Sequence, residues 1–205
     1  MIGIFLGSFN PPHIGHVNCV TTVLNKCPEI DEIVVIPTMQ NPNKQVNQKD
    51  TFNLRYYMCH QMFRGIEKCS ISDIDKELTD CTYTFEKLSH YKSIFGEDLV
   101  WIITIETLWE LLCDQWKNSE ELLSRNNFYI LYNNEQFNAK ENQQRIIHVR
   151  NYGLNNFRYI RFNNFIPINS TTIRDKVKSN EEIQPWVNLG VSSIIKHMKL
   201  YDEVQ

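Results

Sequence analysis

Short apolar runs rich in β-branched residues alternate along this chain with segments of helical period, and that alternation restricts the fold more than any other feature. Ile2–Leu6 is the first run and ends at Gly7, as a buried strand opening into a turn does. Beyond the loop Ser8–Pro12, Ile14, Val17, Val20 or Thr21, and Leu24 recur at helical spacing until Cys27-Pro28 stops the pattern. Glu32–Pro37 (EIVVIP) reads as a second strand, and Thr51–Phe63 as a second helix with Leu54, Met58 and Gln61 or Met62 along one side. The pattern continues with a strand at Cys69–Ile74, a helix at Thr84–Phe95 and a fully buried central strand at Leu99–Ile105 (LVWIITI). Glu106–Cys113 and Ser119–Arg125 form a broken helical segment, Phe128–Tyr132 and Phe157–Phe162 two later strands, and Ser170–Val177 and Val191–Met198 the closing helices. This order predicts an α/β fold with a central parallel sheet, helices on both faces and a small helical C-terminal part. Asn133–Arg145, rich in Asn, Gln and Glu, is expected to be an exposed loop or polar helix.

At 205 residues, the chain fits one domain spanning 1–205, since domains run to roughly 100–200 residues. Hydrophobic residues make up 42% and charged residues 22%, enough for a packed core. A formal charge of −3 leaves no basic field for long nucleic acid, so no polynucleotide partner is expected. The six Cys show no C-x-x-C spacing and no leader-like segment opens the chain, which suggests reduced thiols in a cytoplasmic protein. The longest apolar stretches, Ile33–Pro37 and Leu99–Ile103, are far shorter than the roughly 18–20 residues a membrane helix needs.

Between the first strand and first helix lies Gly7-Ser8-Phe9-Asn10-Pro11-Pro12-His13-Ile14-Gly15-His16. In an open parallel sheet, this strand-end crevice is where ligands bind. Gly7 permits a tight turn and close approach of a phosphate, the two prolines stiffen the loop, and free N–H groups at the helix start face an anion. His13 and His16, three residues apart on the first turn, project to one side. Two imidazoles facing one phosphate can donate hydrogen bonds and, when protonated, positive charge, as displacement at phosphorus requires. The loop is neither a Walker loop nor a G-x-G-x-x-G turn. The bland alternatives are two idle rings at a helix start or an incidental zinc pair, which lacks further ligands nearby.

Gly7–His16 resembles the T/H-x-G-H nucleotidyltransferase signature. The chain from Met1 to about Tyr201 is similar to the bacterial-type nicotinate-nucleotide (nicotinamide-nucleotide) adenylyltransferase family, which implies a Rossmann-like nucleotidyltransferase fold. The resemblance implies that His13 and His16 bind the ATP phosphates and stabilise the transition state, and that Gly7, Ser8 and Phe9 cradle the nucleotide. Ile168-Asn169-Ser170-Thr171-Thr172-Ile173-Arg174 is similar to the family's I-S-S-T-x-I-R. Physically, hydroxyls and orphan N–H groups at a helix start, with a permanent planar cation one turn on, make an anion clamp. Ser170 and Thr171 are thus nucleotide-binding candidates, and Arg174 is expected on the phosphates that leave.

Pro37–Lys44 (PTMQNPNK) resembles the family's P-x-x-x-P-P-H-K, with Asn43 where His is usual. Lys44 could lend charge to the phosphates and is equally a surface lysine. Arg55, in an R-x-x-M pattern, is a candidate for the mononucleotide phosphate and equally an exposed helical arginine. Thr82-Tyr83-Thr84 is like the family's S-Y-T, and Trp116 sits like the tryptophan before its acidic helix. A pyridine ring wants a flat aromatic surface and its exocyclic group wants donors, which suits Trp116 and Thr84, although most tryptophans simply pack. Thr104-Ile105-Glu106 stands where the family has Gly-x-Asp, so the nucleotide contacts implied for Thr104 and Glu106 must shift. Asn133-Asn134-Glu135 replaces an Arg-Pro-Gly-like segment.

The implied activity joins nicotinate mononucleotide, or nicotinamide mononucleotide, to ATP, giving the dinucleotide and pyrophosphate, with Mg²⁺ arriving on the ATP phosphates. His13, His16, Lys44 and Arg174 form the catalytic set. The rivals are another adenylyl- or cytidylyltransferase of the superfamily, acting on phosphopantetheine or a similar acceptor, and a non-catalytic nucleotide-binding module. The residues choose neither acid nor amide acceptor, and they leave a homo-oligomer open.

Overall fold

A computed structural model describes residues 1–39, 51–78, 84–113, 116–134, 147 and 156–202. Its sheet has six strands, β1 (Ile2–Gly7), β2 (Glu32–Pro37), β3 (Cys69–Ile71), β4 (Leu99–Thr104), β5 (Asn127–Tyr132) and β6 (Phe157–Arg161), in the order β3-β2-β1-β4-β5-β6. Every pairing is parallel, with Ile4 opposite Val34 on one side and Trp101 on the other. The order reverses between β1 and β4, and that switch point opens a crevice at the strands' C-terminal ends.

Strict alternation divides the core. Phe5, Ile33, Val35, Val100 and Ile102 face one layer, with α1 (Ile14–Lys26), α2 (Phe52–Met62) and the C-terminal helices α6 (Ser170–Lys178) and α7 (Leu189–His197). Ile4, Val34, Ile36, Trp101 and Ile103 face the other, with α3 (Thr84–Phe95), α4 (Ile105–Leu112) and α5 (Ser119–Arg125). A sheet covered on both faces needs strands that are apolar at every position, which is why β2 and β4 read as unbroken apolar runs.

Most element boundaries match the sequence expectation, and the departures have local causes. The third strand stops at Ile71, and Ile74–Lys76 forms a 3₁₀ turn instead. The central strand ends at Thr104, which caps α4 directly in an extended conformation, so Ile105 opens the helix and is fully buried. Thr51 caps α2 by accepting from the Leu54 N–H at 3.4 Å. The last helix begins at Leu189, two residues early, because Asn188 accepts the Val191 N–H at 2.9 Å. Beyond its first two residues, Asn133–Arg145 lies outside the described residues, as do Lys44, Thr82 and Tyr83.

Candidate active site

At the end of β1 the backbone turns through Phe9, which adopts a left-handed conformation with φ of 46°. The Phe9 ring folds back beneath the loop, 1% exposed, where a Cβ on Gly7 would come within 2.9 Å of it. Glycine is therefore required at position 7 to admit the ring. The ring meets His16 edge-on at 4.8 Å, so Phe9 supports the second histidine from below. Gly7 and Ser8 line the cavity.

His13 is the N-cap of α1, and its ring stacks on that of His16 at 3.7 Å. The His13 N–H donates to Nδ1 of His16 at 3.2 Å. With Nδ1 accepting, the neutral His16 ring carries its proton on Nε2, as a donor. His13 is 5% exposed, and its Nδ1 is buried without a hydrogen-bond partner among the described residues. Such orphaned polar atoms are uncommon in native folds and call for a reason beyond packing. Burial pushes the His13 pKa down to about 4. Burial alone therefore keeps the ring neutral at pH 7, able to donate one hydrogen bond. Gly15 completes the corner, since a Cβ there would stand 2.9 Å from Nδ1 of His13 and 3.2 Å from Ile168.

The loop is held from the C-terminal layer. Arg174 donates to the Asn10 carbonyl at 2.8 Å and to the Thr171 hydroxyl at 3.0 Å, so its guanidinium joins α6 to the loop. Ser170 donates to the Pro11 carbonyl at 3.0 Å, and the Ile14 N–H to the Trp186 carbonyl at 2.8 Å. Tyr201 donates its hydroxyl to the Asn10 side chain. Ser170 thus spends its O–H on the loop, while Asn169 caps α6 by accepting the Thr172 N–H at 2.8 Å.

Arg55 is neither exposed nor on a surface of α2. It is 3% exposed and donates to the carbonyls of Ser8 at 2.6 Å, Thr38 at 2.7 Å and Met39 at 3.2 Å. It ties the segment after β2 to the loop between β1 and α1. A second buried cluster went unread in the sequence: Asp75, fully buried, takes hydrogen bonds from Lys87, Tyr91 and the Met39 N–H. The available signal was position, because Arg55 shares the buried stripe of Phe52, Met58, Cys59 and Met62, and Lys87 stands four residues before the buried Tyr91.

The histidine loop, Arg174 and Arg55 border a cavity of about 1270 Å³, above the roughly 300–1,000 Å³ of a single small-ligand pocket. His13, His16, Arg174, Ser170 and Thr171 line it on one side, and Thr84, Trp116, Thr104, Glu106 and Arg55 elsewhere. Trp116 donates its indole N–H to Glu110 at 3.1 Å, which fixes the ring's edge. Cys19 also reaches the cavity, but burial and the nearby Glu106 carboxylate push its thiol up to about 12, so it offers no thiolate nucleophile. No described helix is long and apolar enough to cross a membrane.

The profile of the cytidylyltransferase-like family matches residues 4–179. A probable nicotinate-nucleotide adenylyltransferase of Fusobacterium nucleatum is 33% identical over 198 residues, covering 95% of this chain and 96% of its own. One from Clostridium acetobutylicum is 30% identical over 199 residues, covering 97% of each chain. A solved Plasmodium falciparum nicotinic acid mononucleotide adenylyltransferase, complexed with NaAD, shares the fold, with a TM-score of 0.76 and 18% identity over 98% of this chain and 96% of that one. With near-complete coverage, and with the histidine pair seated at the β1–α1 corner, the chain belongs to the cytidylyltransferase-like family and, within it, to the nicotinate-nucleotide adenylyltransferases.

Proposed function

We propose that this enzyme transfers the adenylyl group of ATP to nicotinate mononucleotide, giving the dinucleotide and pyrophosphate in NAD biosynthesis, with nicotinamide mononucleotide as the competing acceptor. One observation carries the reading. Two stacked imidazoles at the open end of β1, one with an orphaned buried nitrogen, adjoin a fixed guanidinium and a cavity roomy enough for two nucleotides.

In this mechanism an oxygen of the acceptor's 5′-phosphate attacks the α-phosphorus of ATP. A P–O bond forms while the bond from the α-phosphorus to the bridging oxygen breaks, and its electron pair leaves with pyrophosphate. The attacking phosphate is already an anion, so no general base is required. His16, donating through Nε2, and neutral His13 stabilise charge on the α-phosphate oxygens. Arg174, with Lys44 as a second cation, compensates the leaving pyrophosphate. Gly7, Ser8 and the start of α6 at Ser170 and Thr171 flank the triphosphate. Thr104, at the end of β4, and Glu106, in the first turn of α4, contact the ribose or adenine. Trp116 stacks on the pyridine, and Thr84 reads its exocyclic group. Arg55 acts through the carbonyls it holds.

Magnesium fits as a passenger of the triphosphate. Among the described residues no three His, Cys, Asp or Glu side chains converge to hold a metal, and Mg²⁺ keeps several waters and needs few protein ligands when phosphates bind it. Bound there, it would neutralise phosphate charge. The enzyme is proposed to work in the cytoplasm as one domain over residues 1–205, without a polynucleotide partner.

Pyrophosphate release tests the reading. ATP with nicotinate mononucleotide should turn over, and His16→Ala should lower kcat on the order of 10²-fold, as loss of an oxyanion-type donor does. Turnover of phosphopantetheine or choline phosphate with none of either pyridine mononucleotide would contradict it, as would undiminished turnover by His16→Ala.

A further inference from the structure

Asp75 is a fully buried carboxylate that lines no part of the cavity, yet both its oxygens are committed. Oδ1 accepts from Lys87 Nζ at 2.7 Å and from the Tyr91 hydroxyl at 2.7 Å. Oδ2 accepts from Lys87 at 2.8 Å and from the Met39 N–H at 2.6 Å. Lys87 is itself 5% exposed. A buried ion pair is an inefficient way to gain stability, since desolvation offsets most of the attraction and apolar residues of similar volume do as well. What it supplies is geometry, because four charge-assisted or short contacts fix three chain segments relative to one another.

Two of those segments reach the cavity, one through Thr84 and the other through Thr38 and Met39. Lys87 and Tyr91 belong to α3, whose first residue is Thr84 on the acceptor side, and Met39 lies two residues beyond the end of β2. Arg55 grips that same stretch by the Thr38 and Met39 carbonyls and reaches on to Ser8 in the phosphate-side loop. A continuous run of polar contacts, fully buried at Asp75 and partly buried beyond it, therefore leads from the helix bearing Thr84, through Asp75 and Met39, to Arg55 and Ser8. We infer that Asp75, Lys87 and Tyr91 are positioning residues that set how far the acceptor wall stands from the phosphate loop. None of them touches substrate. The inference rests on the proposed acceptor wall at Thr84 and Trp116.

The test uses Tyr91→Phe, which keeps the ring and deletes one of the four contacts, with Lys87→Arg as a variant that keeps the charge but changes its reach. Nicotinate mononucleotide binding is measured by calorimetry on the wild type and both variants, with an ATP analogue in parallel and thermal melts as a folding control. The expected result is acceptor binding weakened about fivefold or more in each folded variant, while ATP-analogue binding stays within about twofold, because a displaced wall costs the ligand it faces. Wild type that binds no mononucleotide would defeat the acceptor-wall reading beneath the inference. Wild type that binds it, with folded variants binding equally well, would overturn the positioning role itself. Equal weakening of both ligands would also overturn it, by showing a general loosening.

Discussion

At the scale of single residues, the proposed chemistry makes its sharpest predictions at His13. Its ring is kept neutral by burial, with a pKa of about 4. In the unfolded chain it protonates near its ordinary 6.5. Above that pH neither state holds the proton and no penalty arises. As pH falls from about 6.5 toward 4, the unfolded state takes up a proton that the native state refuses, so stability drops, by up to about 3 kcal/mol. Urea melts at pH 7 and pH 5 should show this loss, and His13→Gln should flatten it; identical slopes would remove His13 from the account. Gly15 gives a second residue-scale prediction. Gly15→Ala puts a methyl within 2.9 Å of Nδ1 of His13, and kcat should fall on the order of tenfold or more while the fold persists, because small displacements of a catalytic group are costly. Steady-state kinetics with a thermal melt separates the two effects.

At the scale of elements, the histidine loop is held in place from several sides. Its own conformation comes from Gly7 and Phe9, but α6 holds its carbonyls through Ser170 and Arg174, and Arg55 of α2 holds Ser8. Helix α7 docks on α2 partly through Asn188, which accepts the Val191 N–H and donates to the Gln61 carbonyl at 2.6 Å. Asn188→Ala should therefore cost about 1–2 kcal/mol, as loss of an N-cap does, visible as a lowered urea midpoint, with kcat unchanged. A fall in kcat of similar depth would show that α7 does more than pack. Periodicity made most elements legible because both sheet faces are covered and most helices bury an apolar stripe, although α2 and α3 also bury Arg55 and Lys87. It failed at Cys69–Ile74, where Ile74 belongs to a 3₁₀ turn, and at Ile105, where strand passes into helix with no intervening loop.

At the scale of the whole molecule, the histidine loop and the Ser170–Arg174 clamp are 154 residues apart in sequence, counted from His16 to Ser170, and meet across the switch between β1 and β4. Each could be read as a local pattern; their meeting depends on strand order, which no local pattern records. Arg55 was legible as a motif residue but not in its role, because an arginine on a helix looks alike whether it faces water or three buried carbonyls. Asp75 was invisible for the same reason: it sits beside Asp73 and Lys76 in an ordinary charged stretch, and its partners Met39, Lys87 and Tyr91 come from other elements.

The proposed function requires that the triphosphate of ATP lie against the paired imidazoles and Arg174. A crystal structure with a non-hydrolysable ATP analogue tests it most directly. Phosphate oxygens should lie within hydrogen-bond reach of His16 Nε2 and the Arg174 guanidinium, at the mouth of β1. An ordered analogue seated elsewhere in the cavity, with both imidazoles left without a phosphate partner, would contradict it.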